Sequence, residues 1–288
     1  MKKRAILADS GCQIGLGEAV KEGIFIVPLG ITIDQKTYLD QKEITSLEVF
    51  DFMNKTGKHV LTSQPATGEM LKVIERIKDE GYDEIIGLPM ATGLSSTLNG
   101  MKIAADMCQI PIHLIDTKTT AGNHAYLVKI AAKLIKEDKE TDEIIKILND
   151  LINHSGTIIM APNLDHLKKG GRITPAVALL GGMLKIVPVM ELNYDLGGKI
   201  DTLAKVRTIS IARLSAVNRM KELGVTKDEY IFTIEHVLCE DSANELKNKL
   251  FEIIGEGELT LRELPSVVGA HMGVGGLGIQ YIKKYKGE

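Results

Sequence analysis

The first half of the chain alternates apolar runs with amphipathic segments, and this alternation limits the possible folds more than any other feature. Four apolar runs predict strands: RAILAD, FIVPLGITI, DEIIGLPM and PIHLID. Four segments with apolar residues near a 3.6-residue period predict helices: LEVFDFMNKT, GEMLKVIERIKDE, STLNGMKIAADM and AYLVKIAAKLIKE. Strands and helices that alternate at this spacing indicate an α/β domain in which helices cover a parallel sheet in three layers.

The second half, from about Gly156, has a different pattern. Six segments predict strands: GTIIMAP, IVPVMEL, KIDTLAKV, YIFTIEHV, LTLRELP and SVVGAHM. Two predict helices: ISIARLSAVNRMKEL and SANELKNKLFEIIG. This order indicates an α+β unit with a mainly antiparallel sheet. We therefore predict two domains, 1–155 and 156–288.

Composition and charge exclude several classes of protein. The chain is 44% hydrophobic and 25% charged, as in globular proteins, and its net charge of −3 gives no basis for binding nucleic acid or an anionic membrane. The apolar run in the start MKKRAILADS is too short for a signal peptide. The longer apolar segment AVALLGGMLKIVPVM is interrupted by Lys185 and is too short to span a bilayer. The three cysteines are widely spaced, which predicts buried thiols in a reducing cytoplasm.

The loops that follow the predicted strands of the first half are rich in Ser, Thr and Gly. They read DSGCQIG, TSQPATGE, ATGLSST and DTKTTAGN, with almost no Lys or Arg. In parallel α/β sheets such loops carry the ligand site. The hydroxyl pairs Thr62-Ser63 and Ser95-Ser96 precede predicted helices, where they could be N-caps or could hold an anion. With so few cations, the anion would be a single carboxylate.

A serine hydrolase is the alternative function for these loops. Gly93-Leu94-Ser95-Ser96-Thr97 resembles a G-x-S-x-G nucleophile motif, but Thr replaces the last Gly. His271 could supply the base and Asp9 or Asp116 the acid, although the sequence fixes no such geometry. A binder of another carboxylate or of a small polar ligand is a third possibility.

The candidate cofactor and metal motifs lack the surrounding sequence and the spacing that such sites need. GVGGLG at 273–278 spells a dinucleotide fingerprint, but only ten residues follow it, too few for the required βαβ unit. The seven histidines show no metal-ligand spacing, so we predict neither a metal nor a cofactor. His271 lies among small and apolar residues, where it could be a core residue. The flanking Gly269 and Gly273 suggest a close approach of the backbone to another group.

Six motifs, in order along the whole chain, resemble those of the DegV family, which includes the fatty-acid-binding subunits of bacterial fatty acid kinase. They are Asp9-Ser10, Val27-Pro28-Leu29 followed by ITID, Thr62-Ser63-Gln64-Pro65, Gly93-Leu94-Ser95-Ser96-Thr97, Leu167-Lys168-Lys169-Gly170-Gly171-Arg172-Ile173 and His271-Met272-Gly273. Two positions depart from the family pattern: Ser96 stands where Gly is usual, and Met272 where Thr or Ser is usual.

The resemblance implies a function without catalysis. It implies a monomeric, cytoplasmic protein that buries one long-chain fatty acid, such as palmitate or oleate, between two domains. A separate kinase would phosphorylate the bound carboxylate with ATP, for phospholipid synthesis. Carried over to this chain, the resemblance implies that Thr62, Ser95 and His271 hold the carboxylate, and we predict that the adjacent Ser63 and Ser96 also take part in binding it. Arg172 and Arg207 face the kinase. The low aromatic content of 4%, which fits any plain aliphatic core, also fits an aliphatic lipid tunnel.

Overall fold

A computed structural model describes residues 2–162, 164–175 and 186–287. The segment 176–185, which forms most of the apolar run AVALLGGMLKIVPVM and includes Lys185, lies outside the described residues. Among the helices of the described ranges, none has the length and apolar character needed to span a membrane.

The chain alternates strands and helices as far as its midpoint, and strands dominate after it. The described strands are β1 (Arg4–Asp9), β2 (Ile24–Val27), β3 (Gly30–Ile33), β4 (Lys36–Leu39), β5 (Leu61–Ser63), β6 (Glu84–Leu88), β7 (Ile112–Leu114), β8 (Ser155–Met160), β9 (Val187–Asn193), β10 (Asp201–Val206), β11 (Tyr230–His236), β12 (Leu259–Glu263) and β13 (Leu277–Lys283).

The helices are numbered in the same way, and a short 3-10 turn also follows β1 at Ser10–Cys12. The described α-helices are α1 (Leu16–Glu22), α2 (Ser46–Thr56), α3 (Thr67–Asp79), α4 (Thr97–Cys108), α5 (Ala121–Lys136), α6 (Thr141–Asn153), α7 (Asp165–Gly170), α8 (Ile209–Glu222), α9 (Glu240–Ile253) and α10 (Ser266–Met272).

A four-stranded parallel sheet organises the first half, in the order β2-β1-β6-β7. Leu7 and Ile85 of this sheet pack with α3 and α4 on one face, and Ile6 and Ile86 pack with α5 and α6 on the other. Because both faces are covered, the strands are apolar at almost every position. The predicted three-layer α/β arrangement is confirmed.

The segment FIVPLGITI is two strands in two different sheets, so the prediction of one strand was wrong. β2 belongs to the parallel sheet, whereas β3 joins a three-stranded antiparallel sheet of order β4-β3-β5. Pro28 separates them because it has no N–H for a ladder, and the N–H of Leu29 donates to Ser10 Oγ at 3.0 Å instead. The register of β3 with β5 places Thr62 opposite Ile31.

A six-stranded sheet organises the second half, in the order β10-β9-β8-β13-β11-β12. All neighbouring strands are antiparallel except β11 and β12, which confirms the predicted mainly antiparallel sheet. α8 and α9 pack on one of its faces. β8 begins at Ser155, directly after the helix that ends at Asn153, next to the predicted boundary at residue 155. The division into two domains stays a prediction.

The segment SVVGAHM is helix α10, so its prediction as a strand was wrong. Pro265, with φ of −61°, precedes the first helical residue and suits a helix start. Val267 and Ala270 are three residues apart, so one face of the helix buries both in the core. The helix packs against α2 and α7 and positions His271.

Candidate functional site

A largely aliphatic cavity of about 830 Å³, which includes its open end, lies between the loops of the first half and one face of the six-stranded sheet. Six of its apolar lining residues are Leu29, Met90, Ile159, Leu192, Ile200 and Leu264. The polar residues that also line it form two groups, described in turn below. Such a cavity, apolar with a few placed polar groups, is the usual form of a site for a small molecule.

Thr62 and His271 form the first polar contact of this cavity. Thr62 Oγ1 and His271 Nε2 are 2.6 Å apart, although 209 positions separate the two residues. Strand β5 carries Thr62 and helix α10 carries His271. Gly170, the last residue of α7, lies against the other side of the imidazole, because a Cβ atom built there would be 2.1 Å from His271 Nδ1. A larger residue at position 170 would displace the ring.

His271 is neutral near pH 7. Burial lowers the pKa of its imidazole to about 4, and the charges of Arg172 and His166 add to the effect. A neutral imidazole has one N–H donor and one acceptor nitrogen. His271 can therefore take part in a directed hydrogen-bond chain without carrying a charge of its own.

Ser95 lines the cavity from the loop between β6 and α4. Its Oγ is 2.8 Å from Thr97 Oγ1 and accepts the N–H of Thr97, the first residue of α4, at 3.3 Å. Ser96 is exposed, makes no capping bond and is absent from the cavity lining. Ser63 lines the open end and is exposed.

The capping alternative fails for Thr62 and Ser63. Both lie on strand β5, and the N-cap of the next helix is Ala66, which makes no side-chain capping bond. The Thr62 hydroxyl is therefore directed to His271 and the cavity, and is not used to begin a helix.

The two arginines predicted to face a kinase lie in different surroundings. Arg172 is half-buried and lines the cavity, where its Nε donates to the carbonyl oxygen of Leu94 at 3.1 Å and its Nη1 donates to that of Gly170. Arg207 is exposed and does not line the cavity. Their contact with a kinase stays a prediction.

The residues of the hydrolase alternative do not form a triad among the described parts of the chain. The Ser95 hydroxyl contacts Thr97, and His271 contacts Thr62. Asp9 is buried and accepts the N–H groups of Gly11 and Met90. Asp116 bonds to Thr92 and Lys118. The nucleophile, the base and the acid therefore each have other partners.

The second polar group, which we call the floor group, was missed by sequence reasoning and consists of Thr157, Glu235 and Gln280. These side chains line the cavity, yet only 8%, 2% and 1% of their surfaces are exposed. Burial raises the pKa of Glu235 to about 7, against the opposing charge of Arg262. In the sequence, the only feature that could have indicated this group is one polar residue at an inward position of each of the three strands. Ordinary strands with one face exposed to solvent show the same pattern.

Known proteins share this architecture. A family model described as an uncharacterised protein of the DegV family matches residues 3–284. A DegV domain-containing protein of Staphylococcus aureus is 32% identical over 286 residues, which cover 97% of each chain. A second, from Halalkalibacterium halodurans, is 28% identical and covers 99% of this chain and 100% of the relative.

Solved structures agree with the sequence comparisons. The fatty acid binding DegV family protein of Streptococcus agalactiae superposes with a TM-score of 0.89 at 27% identity, over 99% of this chain and 100% of that one. DegV of Bacillus subtilis, described as a fatty acid binding protein, gives a TM-score of 0.84 at 25% identity, over 99% and 100%. From the extent of the family match, this chain belongs to the DegV family.

Proposed function

We propose that this protein binds one long-chain fatty acid in the cavity, with the carboxylate at Thr62, Ser95 and His271. The observation that carries the proposal is the hydrogen-bonded pair of Thr62 and His271 in the lining of an otherwise aliphatic cavity. The description of the Streptococcus agalactiae and Bacillus subtilis relatives as fatty acid binding proteins supports it.

The neutral imidazole sets the direction of hydrogen bonding at the proposed head-group site. If His271 Nε2 carries the hydrogen, it donates to Thr62 Oγ1, and the hydroxyl hydrogen of Thr62 is then free to donate to a carboxylate. Ser95 offers a second hydroxyl, and the guanidinium of Arg172 adds positive charge beside the imidazole. Hydroxyl donors with one nearby cation suit a single carboxylate.

The tail supplies most of the binding energy. At about 0.8 kcal/mol for each buried CH₂, a chain of about 14 methylenes gains roughly 11 kcal/mol before ordering costs. A hydrogen bond to a charged group adds about 1.5–3 kcal/mol. The polar group therefore fixes the orientation of the lipid, and the aliphatic walls hold it.

The bound carboxylate would be presented to a separate, ATP-dependent fatty acid kinase, which forms the acyl phosphate used for phospholipid synthesis. The protein itself would have no catalytic role. The exposed residues Ser63 and Gln64 line the cavity beside Thr62, so the head group would lie close to solvent. Arg172 lies at the same site, and an arginine suits a phosphoryl group because its planar fork makes paired hydrogen bonds.

Native mass spectrometry of gently purified protein tests the binding proposal. We expect a mass shift from a co-purified fatty acid, or a one-to-one complex after palmitate is added to stripped protein. Hexadecanol, which has the same tail without the carboxylate, is the control ligand and should bind more weakly. A bare polypeptide mass that palmitate does not change would contradict the proposal.

A further inference from the structure

The floor group lies on one face of three adjacent strands. In the register of the sheet, Gln280 of β13 is opposite Thr157 of β8, and Gly278 of β13 is opposite Glu235 of β11. Successive inward positions of β13 are therefore Gly278 and Gln280, which both line the cavity. No hydrogen bond among the described residues joins the floor group to Thr62, Ser95 or His271.

Gly278 keeps the cavity open above the strand beside Glu235. A Cβ atom built at this position would meet only two backbone oxygens, that of Ile158 at 3.8 Å and that of Glu235 at 4.0 Å. These are ordinary contact distances, so a side chain would fit there and would fill cavity space. Because glycine leaves that space empty, a bound chain has room to pass over β13 next to Glu235.

The hydrogen-bond capacity of the floor group is only partly used. Gln280 is occupied: its Oε1 accepts the N–H of Asn123 at 2.8 Å, and its Nε2 donates to Thr120 O at 3.0 Å and to Thr157 Oγ1 at 2.9 Å. Thr157 Oγ1 accepts in that last bond, and within the described chain its own hydrogen has no acceptor.

Glu235 has acceptor capacity to spare. Its carboxyl group receives Arg262 Nε at 3.2 Å and the backbone N–H of Gly122. A carboxylate offers about four lone-pair positions, so two donors leave room for more. The floor group therefore offers one donor hydrogen, on Thr157, and further acceptor positions, on Glu235, in largely apolar surroundings.

A plain hydrocarbon chain against this group would leave the hydroxyl hydrogen of Thr157 and the remaining acceptor positions of Glu235 without partners, which is unfavourable. A hydroxyl group is both a donor and an acceptor, so it can donate to Glu235 or accept from Thr157. We propose that the cavity selects a fatty acid that carries a hydroxyl group along its chain, at the position that meets the floor group. The proposal rests on the proposed binding of fatty acids.

A positional series of ligands tests the proposal. The probes are stearate and a set of monohydroxystearates with the hydroxyl at different carbons, measured by calorimetry or competition on stripped protein. We expect the isomers at one or two adjacent positions to bind at least as tightly as stearate. The other isomers should bind about 10-fold more weakly, because a buried hydroxyl without a partner costs free energy.

Substitutions assign the effect to the floor group. Thr157→Val keeps the shape and removes the hydroxyl, so the affinity of the preferred isomer relative to that of stearate should fall about 10-fold. Thr233→Val, a buried threonine next to Gln280 that is outside the cavity lining, is the matched control. Glu235→Gln gives a second measurement if the Thr157 variant does not fold.

Two results would overturn the inference. The first is that every hydroxystearate binds more weakly than stearate, as a floor group satisfied by water alone would produce. The second is that the preference for one isomer survives unchanged in both Thr157→Val and Glu235→Gln. If stearate itself does not bind, the proposed function fails, and that outcome is distinct because it needs no comparison between isomers.

Discussion

At the scale of single residues, the account depends on His271. The sequence left two possibilities open, a core histidine or a ligand-contacting one, because both occur in apolar surroundings. In the structure both descriptions apply to His271: the ring is largely enclosed, yet it lines the cavity and bonds to Thr62 at 2.6 Å. The local pattern of residues could not indicate this pairing, since it depends on two elements that meet only in the folded chain. The resemblance to the DegV family did imply it, because it assigned Thr62 and His271 to the same carboxylate.

His271→Ala should weaken palmitate binding without abolishing it. The substitution removes one hydrogen-bond partner from the head-group site, which costs about 1–3 kcal/mol, a factor of about 5–150 in Kd. Calorimetry on stripped protein measures the change. His154→Ala, at an exposed histidine that does not line the cavity, should leave Kd unchanged. Equal effects of the two substitutions would contradict the assignment of His271.

Ligand binding should raise the pKa of His271. In the free protein this pKa is lowered to about 4, because burial and neighbouring positive charge disfavour the imidazolium ion. A carboxylate at the site favours the charged form, so the pKa must increase in the palmitate complex.

By linkage, the ionised fatty acid then binds more tightly as the pH falls through the pKa of the complex towards the free-protein value of about 4. NMR titration of the His271 ring, with and without palmitate, measures both values. Hexadecanol should cause no such increase. An unchanged pKa in the palmitate complex would place the carboxylate elsewhere.

At the scale of elements, the sequence patterns predicted most of the long helices and strands. Helix α6 was not among the predictions, and two predicted segments were wrong because the context of the whole fold decides their structure. The 3.6-residue period of apolar residues was enough to predict the helices α3, α4 and α9. SVVGAHM carries β-branched residues but forms a helix: a proline precedes it, and the buried residues Val267 and Ala270 are three positions apart, as on one face of a helix. β5 has only three residues, and its pairing with β3 cannot be inferred from so short a run.

The close contact of α7 with α10 predicts that Gly170→Ala disturbs the site. The added methyl group would overlap the His271 ring, so we expect about 1–3 kcal/mol of lost stability and weaker palmitate binding. Gly68→Ala is the matched control, since it lies in α3 with open space around its Cβ position and should be neutral or slightly stabilising. Thermal unfolding and calorimetry compare the two. A Gly170 variant as stable and as active in binding as the control would show that the contact does not constrain His271.

At the scale of the whole molecule, the cavity is a product of long-range packing. Its walls come from β5, the loop after β6, α10 and the inner face of the six-stranded sheet. The motifs that resemble the DegV family indicated Thr62, Ser95 and His271, because these residues stand in short stretches of distinctive sequence. The floor group could not be predicted in this way, since its members are single residues on three strands whose order in the sheet is not encoded locally.

In the proposed function the tail supplies most of the affinity, so Arg172→Ala should affect phosphorylation of the bound lipid more than binding of the lipid. With a cognate fatty acid kinase, ATP and bound palmitate, formation of acyl phosphate should fall by a much larger factor than palmitate affinity does. The reason is that the guanidinium stabilises a phosphoryl group more than a lone carboxylate. Arg207→Ala, which alters an exposed arginine outside the cavity lining, tests whether that residue also contributes. Equal losses of affinity and phosphorylation in Arg172→Ala would assign that arginine to lipid binding alone.

A crystal structure of the complex with palmitate would test the proposed mode of binding, because it shows both the occupant of the cavity and its orientation. The account predicts the tail among the aliphatic walls and the carboxylate oxygens within about 3.2 Å of the hydroxyl or imidazole groups of Thr62, Ser95 and His271. A carboxylate at Glu235 and Gln280, or a lipid bound outside the cavity, would contradict it.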